Sequence, residues 1–100
     1  MSSLDEWDLF WSEDAVEDRD NMTKYYALTN PAAAVSLNEG LQEAGAMLQA
    51  HPHSGRRGRI PDTREKVLHS GKVIIVYRTH DDVREVEIMN VVSSAQKFPT

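Results

Sequence analysis

The stretch KVIIVYRTH, residues 72–80, contains a run of β-branched residues that is typical of a central β-strand. TREKVLH, residues 63–69, precedes it, and VREVEIMNVV, residues 83–92, follows it with alternating apolar and polar side chains. Turn signals at residues 70–71 and 81–82 separate the three segments. We therefore expect three strands that pair antiparallel in chain order.

The N-terminal half predicts one more strand and two helices. Residues 6–11, EWDLFW, alternate in polarity and indicate a strand. Ser12 can then cap a helix that ends near Leu28. Asn30 can cap a second helix, which begins with Pro31 and ends before Pro52. Because the connection is only one or two residues long, the helices should form an antiparallel hairpin.

The helices should bury a thin apolar stripe on the first and a fuller one on the second. We expect Asp18, Arg19 and Asp20 to face water, and Gly40 and Gly45 either to weaken the second helix or to let the two helices approach closely. The expected buried positions are Ala15, Met22, Tyr25 or Tyr26, and Leu28 or Thr29 on the first helix, and Ala34, Leu37, Leu41, Ala44 and Leu48 on the second, with Met47 able to widen that face.

This order of elements predicts an α+β protein. An N-terminal strand leads to an antiparallel helical hairpin, which packs on a twisted, mainly antiparallel sheet of about four strands. The first strand should pair with an edge of the later strands, which leaves one sheet face open beside the loop that follows the helices. One hundred residues without a repeat or linker predict a single domain, residues 1–100.

The composition is that of an ordinary globular chain whose charges are unevenly spread. The formal net charge is -5. Residues 1–50 carry ten acidic side chains against two basic ones, whereas residues 51–100 carry nine basic against six acidic. The chain has no cysteine, no signal-peptide pattern and no apolar run of membrane-spanning length. We therefore expect a soluble, cytoplasmic protein without membrane contacts.

Most of the positive charge lies in HPHSGRRGRIPDTREK, residues 51–66, which we call the basic loop. It lacks the pattern of a phosphate-binding P-loop, and a strand follows it rather than a helix. Arginine binds phosphate and carboxylate groups in bidentate fashion, so one interpretation is contact with a nucleic acid or an acidic protein. The other is a structural loop whose arginines pair with Glu65 or with the acidic first helix.

Few residues suggest catalysis or metal binding. His51 and His53 form an H-x-H pair, but no third ligand stands at a convincing spacing, so we expect no metal and no cofactor. The remaining acid–base candidates are carboxylates of the strands, namely Glu65, Glu85 and Glu87, which are usually solvated at such positions.

Four segments together resemble the RelE/ParE superfamily of toxins from bacterial type II toxin–antitoxin modules. WSEDAVEDRDNMTKYYALTNPAAA resembles the opening of that family, and the basic loop resembles its P-x-x-G-R-x-G-R-x-P-x-T-R-E segment. VIIVYR resembles the strand that follows, and VEIMNVVSSAQKFP is similar to a closing segment that often ends A-Q-x-W-P. The resemblance implies two helices on an antiparallel sheet, and a toxin that arrests growth until a small antitoxin neutralises it.

The target differs between branches of this superfamily, since some members cleave mRNA in the ribosomal A site and others poison DNA gyrase. The ribosome-dependent nucleases usually carry an arginine on the central strand, and that position is Ile74 here. The closing segment has Asn90, Ser93 and Ser94 where relatives often have Arg and His. This favours the ParE-like branch and a toxin that binds and inhibits DNA gyrase.

Two alternatives remain open at this point. One is a ribosome-dependent, metal-independent endoribonuclease acting on mRNA, whose catalytic candidates would be Lys66, Arg78, Glu87 and His80. The other is a degenerate module that only binds its antitoxin.

In every case the resemblance implies that the partner is a cognate antitoxin in a hetero-oligomer. We expect that reversing Arg56, Arg57 and Arg59 to Glu reduces toxicity more than it reduces stability. The residues expected to contact the target or the antitoxin are Arg56, Arg57, Arg59, Arg64, Lys66, Arg78, Lys97 and Phe98.

Overall fold

The computed structural model describes residues 6–94 of the chain. Within that part, two helices and five strands follow one another, with a short 3-10 helix at His69–Gly71 between the third and fourth strands. No helix in these residues is both long enough and apolar enough to cross a membrane. The elements are β1 (Asp8–Trp11), α1 (Glu13–Thr29), α2 (Pro31–Ala50), β2 (Arg56–Arg57), β3 (Arg64–Leu68), β4 (Val73–His80) and β5 (Glu85–Ser93).

The strands form one mixed sheet in the order β1-β5-β4-β3-β2. The three segments predicted from residues 63–92 pair antiparallel, and β1 adds to them as an edge strand that pairs parallel with β5. The α+β class and the mainly antiparallel sheet are therefore confirmed. The sheet has one strand more than the predicted four, because the basic loop folds back as the two-residue strand β2 against β3.

The two helices begin where the capping residues predict. The Ser12 hydroxyl accepts a hydrogen bond from the Ala15 amide at 3.1 Å and donates one to the Met89 carbonyl at 2.9 Å, which ties the start of α1 to β5. The Asn30 side chain accepts hydrogen bonds from the amides of Ala32 and Ala33 at the start of α2. Each cap satisfies amides that the first turn of a helix leaves without partners.

The core lies between the helical hairpin and one face of the sheet. Every predicted buried position of α2 is buried except Met47, which is half exposed beside the stripe. On α1, Ala15 and Met22 are buried as predicted. Leu28 is 83% exposed, because six residues after Met22 is about one and two-thirds helical turns, which places it roughly 120° around the helix from Met22 and off the buried stripe. Thr29 is also exposed, so both assignments at this end of α1 were wrong.

The glycines of α2 face β1 and the 3-10 helix rather than α1. A Cβ atom at Gly45 would lie 3.0 Å from a methyl carbon of Leu9 and 3.5 Å from the Trp11 ring. At Gly40 it would lie 3.1 Å from the ring of His69. The prediction that these glycines let the two helices approach closely was therefore wrong. They make room for side chains of β1 and of the 3-10 helix that pack against α2.

Two charged residues of α1 are engaged with their neighbours instead of facing water. The register of β4 and β5 shifts between Val76 and Tyr77, and beside this bulge the Asp18 carboxylate accepts hydrogen bonds from the Val91 amide and the Asn90 side chain, both at 3.0 Å. A bulge leaves backbone groups outside the ladder, and a buried amide needs a partner.

Arg19 also differs from the prediction. Its guanidinium lies 4.9 Å from the centre of the Trp11 ring and donates to the side chain and carbonyl of Asn38. Burial lowers the pKa of Arg19, which still leaves the group charged. Of the three charged residues, only Asp20 behaves as predicted, in an exposed pair with Lys24 at 2.9 Å.

We predict that Asp18→Ala lowers the free energy of unfolding by about 1–3 kcal/mol, because it leaves the buried amide of Val91 without its acceptor. Asp20→Ala removes the same group from the same helix, yet should cost no more than about 1 kcal/mol because its ion pair is exposed. Urea unfolding of both variants measures the difference. Equal losses would show that Asp18 has no special role at the bulge.

Candidate functional site

Tyr77 anchors the basic loop to the sheet. Its ring is fully buried on β4, and its hydroxyl donates to the Pro52 carbonyl and accepts from the Gly55 amide, both at 2.9 Å. A Cβ atom at Gly55 would lie 2.5 Å from that hydroxyl, so the position requires glycine. Burial raises the pKa of Tyr77, which keeps the hydroxyl protonated and able to donate.

Glu65 holds two loop arginines on the sheet. Its carboxylate, 2% exposed, accepts from Nε and Nη2 of Arg56 at 3.1 and 2.9 Å through one oxygen. The other oxygen accepts from the Arg59 amide at 3.0 Å and from its Nε at 3.1 Å. We call Glu65, Arg56 and Arg59 the Glu65 clamp. Arg56 and Arg59 therefore fit the second interpretation of the basic loop, that of a structural loop whose arginines pair with Glu65.

The Glu65 clamp also determines the charge state of its carboxylate. Burial acts to raise the pKa of Glu65. The hydrogen bond from the backbone N–H of Arg59 and the guanidinium groups of Arg56 and Arg59 lower the pKa by more than burial raises it. The pKa therefore lies below its usual range, and the group stays ionised. Because donors occupy both oxygens, Glu65 is poorly suited to act as a general base.

A third arginine stiffens the same loop from β3. The Nη1 atom of Arg64 donates to the carbonyls of His53 and Gly55, both at 3.0 Å. Thr63, which is buried, donates its hydroxyl to the Ile60 carbonyl at 2.6 Å and closes the turn before β3. The basic loop is thus held by side-chain bonds at several points rather than being a flexible solvated segment.

The remaining predicted contact residues of the loop lie apart. Arg57 is exposed, and its side chain has no partner among residues 6–94. Lys66 stands opposite Ile75, whose side chain belongs to the core beneath the helices. Since directly paired residues share a sheet face, Lys66 points to the helical side. Lys97 and Phe98, also predicted to make contacts, lie outside the described residues.

Three of the four nuclease candidates come together on the other face. His80 Nε2 lies 2.9 Å from Oε1 of Glu87, and Arg78 Nε lies 3.5 Å from the same oxygen. The Arg78 Nε also donates to the sulfur of Met89 at 3.3 Å. Lys66, the fourth candidate, faces the helices, so these residues do not form one cluster.

A groove of about 880 Å³ opens where the turn between β2 and β3 approaches the end of β4. Arg57 and Arg64 line it on one side, and Arg78 and His80 line it on the other, with Asp62 at the turn. We call it the arginine groove. Sequence reasoning had placed these residues in separate segments, and only the strand register brings them to one place.

The histidines do not assemble a metal site in the part of the chain that the structure describes. His53 Nε2 is 2.8 Å from an Asp81 oxygen, and its ring meets the edge of Trp7 with a centroid distance of 5.6 Å. Between residues 6 and 94, no three His, Asp or Glu side chains are placed to hold an ion. His53 links the basic loop to the β4–β5 turn through its contact with Asp81.

Known toxin structures share this fold. The chain superimposes on a structure described as the chromosomal ParDE toxin–antitoxin system of P. aeruginosa with a TM-score of 0.76 and 22% identity, covering 88% of this chain and 96% of the other. Superposition on the intact E. coli RelBE toxin–antitoxin complex gives a TM-score of 0.63 at 16% identity, with 91% and 99% covered. The architecture is therefore that of RelE/ParE toxins.

Sequence comparison then identifies the family. Residues 9–98 match the family described as the ParE toxin of the type II toxin–antitoxin system, parDE. The chain is also 36% identical over 89 residues to Y4kP of Sinorhizobium fredii, named as a candidate toxin, with 89% of this chain and 90% of that protein covered. The chain belongs to the ParE toxin family of type II toxin–antitoxin systems, as the resemblance predicted.

We predict that Glu65→Gln lowers the free energy of unfolding near neutral pH by about 3 kcal/mol, because it leaves two guanidinium groups without their carboxylate. The folded-state pKa of Glu65 is depressed. Its contribution is therefore present above the unfolded pKa of about 4.3 and is lost as pH falls through the folded value. The difference between wild type and variant should shrink in acid, as urea unfolding across this pH range will measure.

Glu85→Gln is the matched control, because Glu85 lies partly buried on β5 and makes no side-chain bond within the described range. Its stability should stay within about 0.5 kcal/mol of wild type. A Glu65→Gln penalty that is equally large in acid would contradict the charge-based role of the Glu65 clamp.

Proposed function

We propose that this toxin arrests growth by binding and inhibiting DNA gyrase and that a cognate antitoxin neutralises it. The observation that carries the choice of target is the environment of Ile74. It is 4% exposed and packs with Val76, Val92 and Ile60 on the sheet face opposite the helices. Where the ribosome-dependent nucleases usually carry an arginine, this chain has a buried aliphatic cluster.

The placement of the nuclease candidates supports the same choice. Metal-free cleavage of a phosphodiester requires a general base that is free to accept a proton and a cation that stabilises the charge developing on the phosphorane. Lys66 lies on the helical face, away from the other three candidates, and the Glu87 carboxylate that would accept the proton is engaged by both His80 and Arg78. A toxin that inhibits by binding needs none of these groups arranged for catalysis.

The Glu65 clamp supports binding through the basic loop. It fixes the backbone on both sides of Arg57, while that side chain remains exposed. A loop ordered in advance loses less conformational entropy on association, and arginine is enriched among residues that dominate interfaces. We infer that Arg57 is the principal loop contact with gyrase. This target implies that the toxin acts in the cytoplasm.

The antitoxin is proposed to bind the other side of the molecule. Between α1 and the end of β5 lies a second groove of about 690 Å³, lined in part by Met22, Tyr25, Tyr26 and Val91. Tyr25 is 69% exposed, and Leu28 on the same helix is 83% exposed. Apolar side chains beside a groove suit an amphipathic segment of a partner. The solved relatives described as toxin–antitoxin complexes support a hetero-oligomer of this kind.

We predict that the purified toxin inhibits supercoiling by purified DNA gyrase at about micromolar concentration and that Arg57→Glu raises the concentration needed by about tenfold. Lys24→Glu makes the same charge change on α1, where Lys24 joins only an exposed ion pair, and should behave as wild type. Both variants should keep the wild-type melting temperature. Reversing Arg56, Arg57 and Arg59 together would not distinguish a loss of binding from a loss of folding, because Arg56 and Arg59 belong to the Glu65 clamp.

Absence of inhibition at these concentrations would contradict gyrase as the target. Toeprinting on programmed ribosomes is the second readout, and mRNA cleaved at the A-site codon would establish the endoribonuclease instead. If induction of the toxin without its antitoxin leaves growth unchanged, the chain is the degenerate antitoxin-binding module.

A further inference from the structure

We propose that the antitoxin segment that binds beside α1 places a carboxylate against Lys72, and that this ion pair determines which antitoxins the toxin accepts. This rests on the neutralisation by an antitoxin that is proposed above, and it adds the chemistry of the contact and one residue that confers specificity. The groove between α1 and the end of β5 meets another groove of about 560 Å³. Tyr25, Tyr26 and Lys72 line both, so the two form one passage, which we call the α1 channel.

The α1 channel follows one side of α1. Its helical wall includes Asp18, Met22, Tyr25 and Thr29, which stand three or four residues apart and therefore share a helix face. At 1.5 Å per residue, the distance along α1 from Asp18 to Thr29 is about 16 Å, or roughly three helical turns. An amphipathic helix of about three turns laid beside α1 would occupy that length.

Lys72 carries an unneutralised charge in the middle of the α1 channel. The residue is exposed, and its ammonium group makes no ion pair or hydrogen bond within the described residues, 6–94. Asp18 is the one carboxylate that lines the channel in this part of the chain. Because Asp18 accepts from the Val91 amide and the Asn90 side chain, it is held at the bulge of β5 and does not neutralise Lys72.

A partner that fills the α1 channel must supply the missing carboxylate. Met22 and Val91 offer buried apolar surface there, and Tyr25 is 69% exposed beside them. A segment that packs on these side chains also removes water from Lys72, and burying a charge without a counter-ion is strongly unfavourable. An Asp or Glu at that position is therefore accepted, whereas a Lys or Arg is rejected. Penalties of this kind discriminate between otherwise similar partners.

The backbone at the same end of the channel is held in an unusual conformation. His69 lies in the left-handed region with φ 51°, and it lines the channel next to Lys72. Its ring lies in the space that Gly40 leaves on α2. Residues other than glycine keep such a conformation only where their surroundings impose it, and they are frequent at binding sites. The packing of His69 thus fixes the turn from which Lys72 projects.

The test measures binding of the full-length toxin to the protein encoded by the reading frame adjacent to its gene, by calorimetry. We predict that Lys72→Glu weakens this binding by about tenfold or more. Lys24→Glu makes the same charge change on the side of α1 away from Met22, since two residues correspond to a rotation of about 200°. This control should change affinity by no more than about twofold.

A charge reversal in the partner makes the test specific. One Asp or Glu of the antitoxin, changed to Lys, should weaken binding to the wild-type toxin and restore binding to the Lys72→Glu variant, as a double-mutant cycle measures. Amide chemical shifts of the wild-type toxin should change on binding along residues 18–29 and 69–72. Shifts confined to other segments would overturn the proposal even if the Lys72→Glu variant failed to fold.

The remaining outcomes separate this inference from the neutralisation on which it rests. If the adjacent protein binds the wild type and the Lys72→Glu variant equally, an antitoxin is present but the ion pair is not, and the inference is wrong. If that protein does not bind the wild-type toxin, the proposed neutralisation fails and the inference fails with it. If Lys72→Glu changes self-association or gyrase inhibition and leaves antitoxin affinity unchanged, the α1 channel belongs to a second copy or to the target instead.

Discussion

The rest of the site depends on one buried carboxylate. Glu65 lies on β3 with its side chain 2% exposed, and removing such a charge from water is costly unless it is fully hydrogen-bonded. Arg56 and Arg59 supply those bonds, and they can do so only if the basic loop folds back onto β3. The short strand β2 and the turn that forms the arginine groove both follow from this requirement.

This dependence divides the positive charges of the loop into two groups. Arg56 and Arg59 are committed to the Glu65 clamp, and Arg64 in part to the loop carbonyls. Arg57 lies between the two clamp arginines in sequence and remains exposed. Several arginines of this acidic protein thus hold the loop, while Arg57, the contact residue that we propose, stays exposed. The family to which the chain belongs makes a toxin target or an antitoxin the relevant partner.

Much of this architecture could be predicted from local patterns. The β-branched run of β4, the caps at Ser12 and Asn30, and the apolar spacing of α2 each have a local physical cause, and each is present in the structure. The loop motif was visible too, because its glycines and its Thr-Arg-Glu ending are distinctive even in a single sequence.

The features that could not be predicted depend on contacts between distant segments. The pairing of Arg56 with Glu65 was one of two open interpretations, because a sequence does not reveal whether a strand carboxylate is buried. The bond from Asp18 to the bulge of β5 spans 73 residues, and no local pattern signals it. Lys66 and Arg78 were both predicted as catalytic candidates of a nuclease. The sheet register places them on opposite faces, which the sequence alone does not reveal.

Native-state hydrogen exchange at the Arg59 amide is the most direct test of the Glu65 clamp. That amide donates to Glu65 at 3.0 Å, so it should exchange only through openings whose free energy approaches that of the central strand β4. The exposed turn at residues 81–84 supplies the comparison within the same molecule. If the Arg59 amide exchanges as fast as the amides of that turn while β4 stays protected, the Glu65 clamp does not hold the loop and the account is wrong.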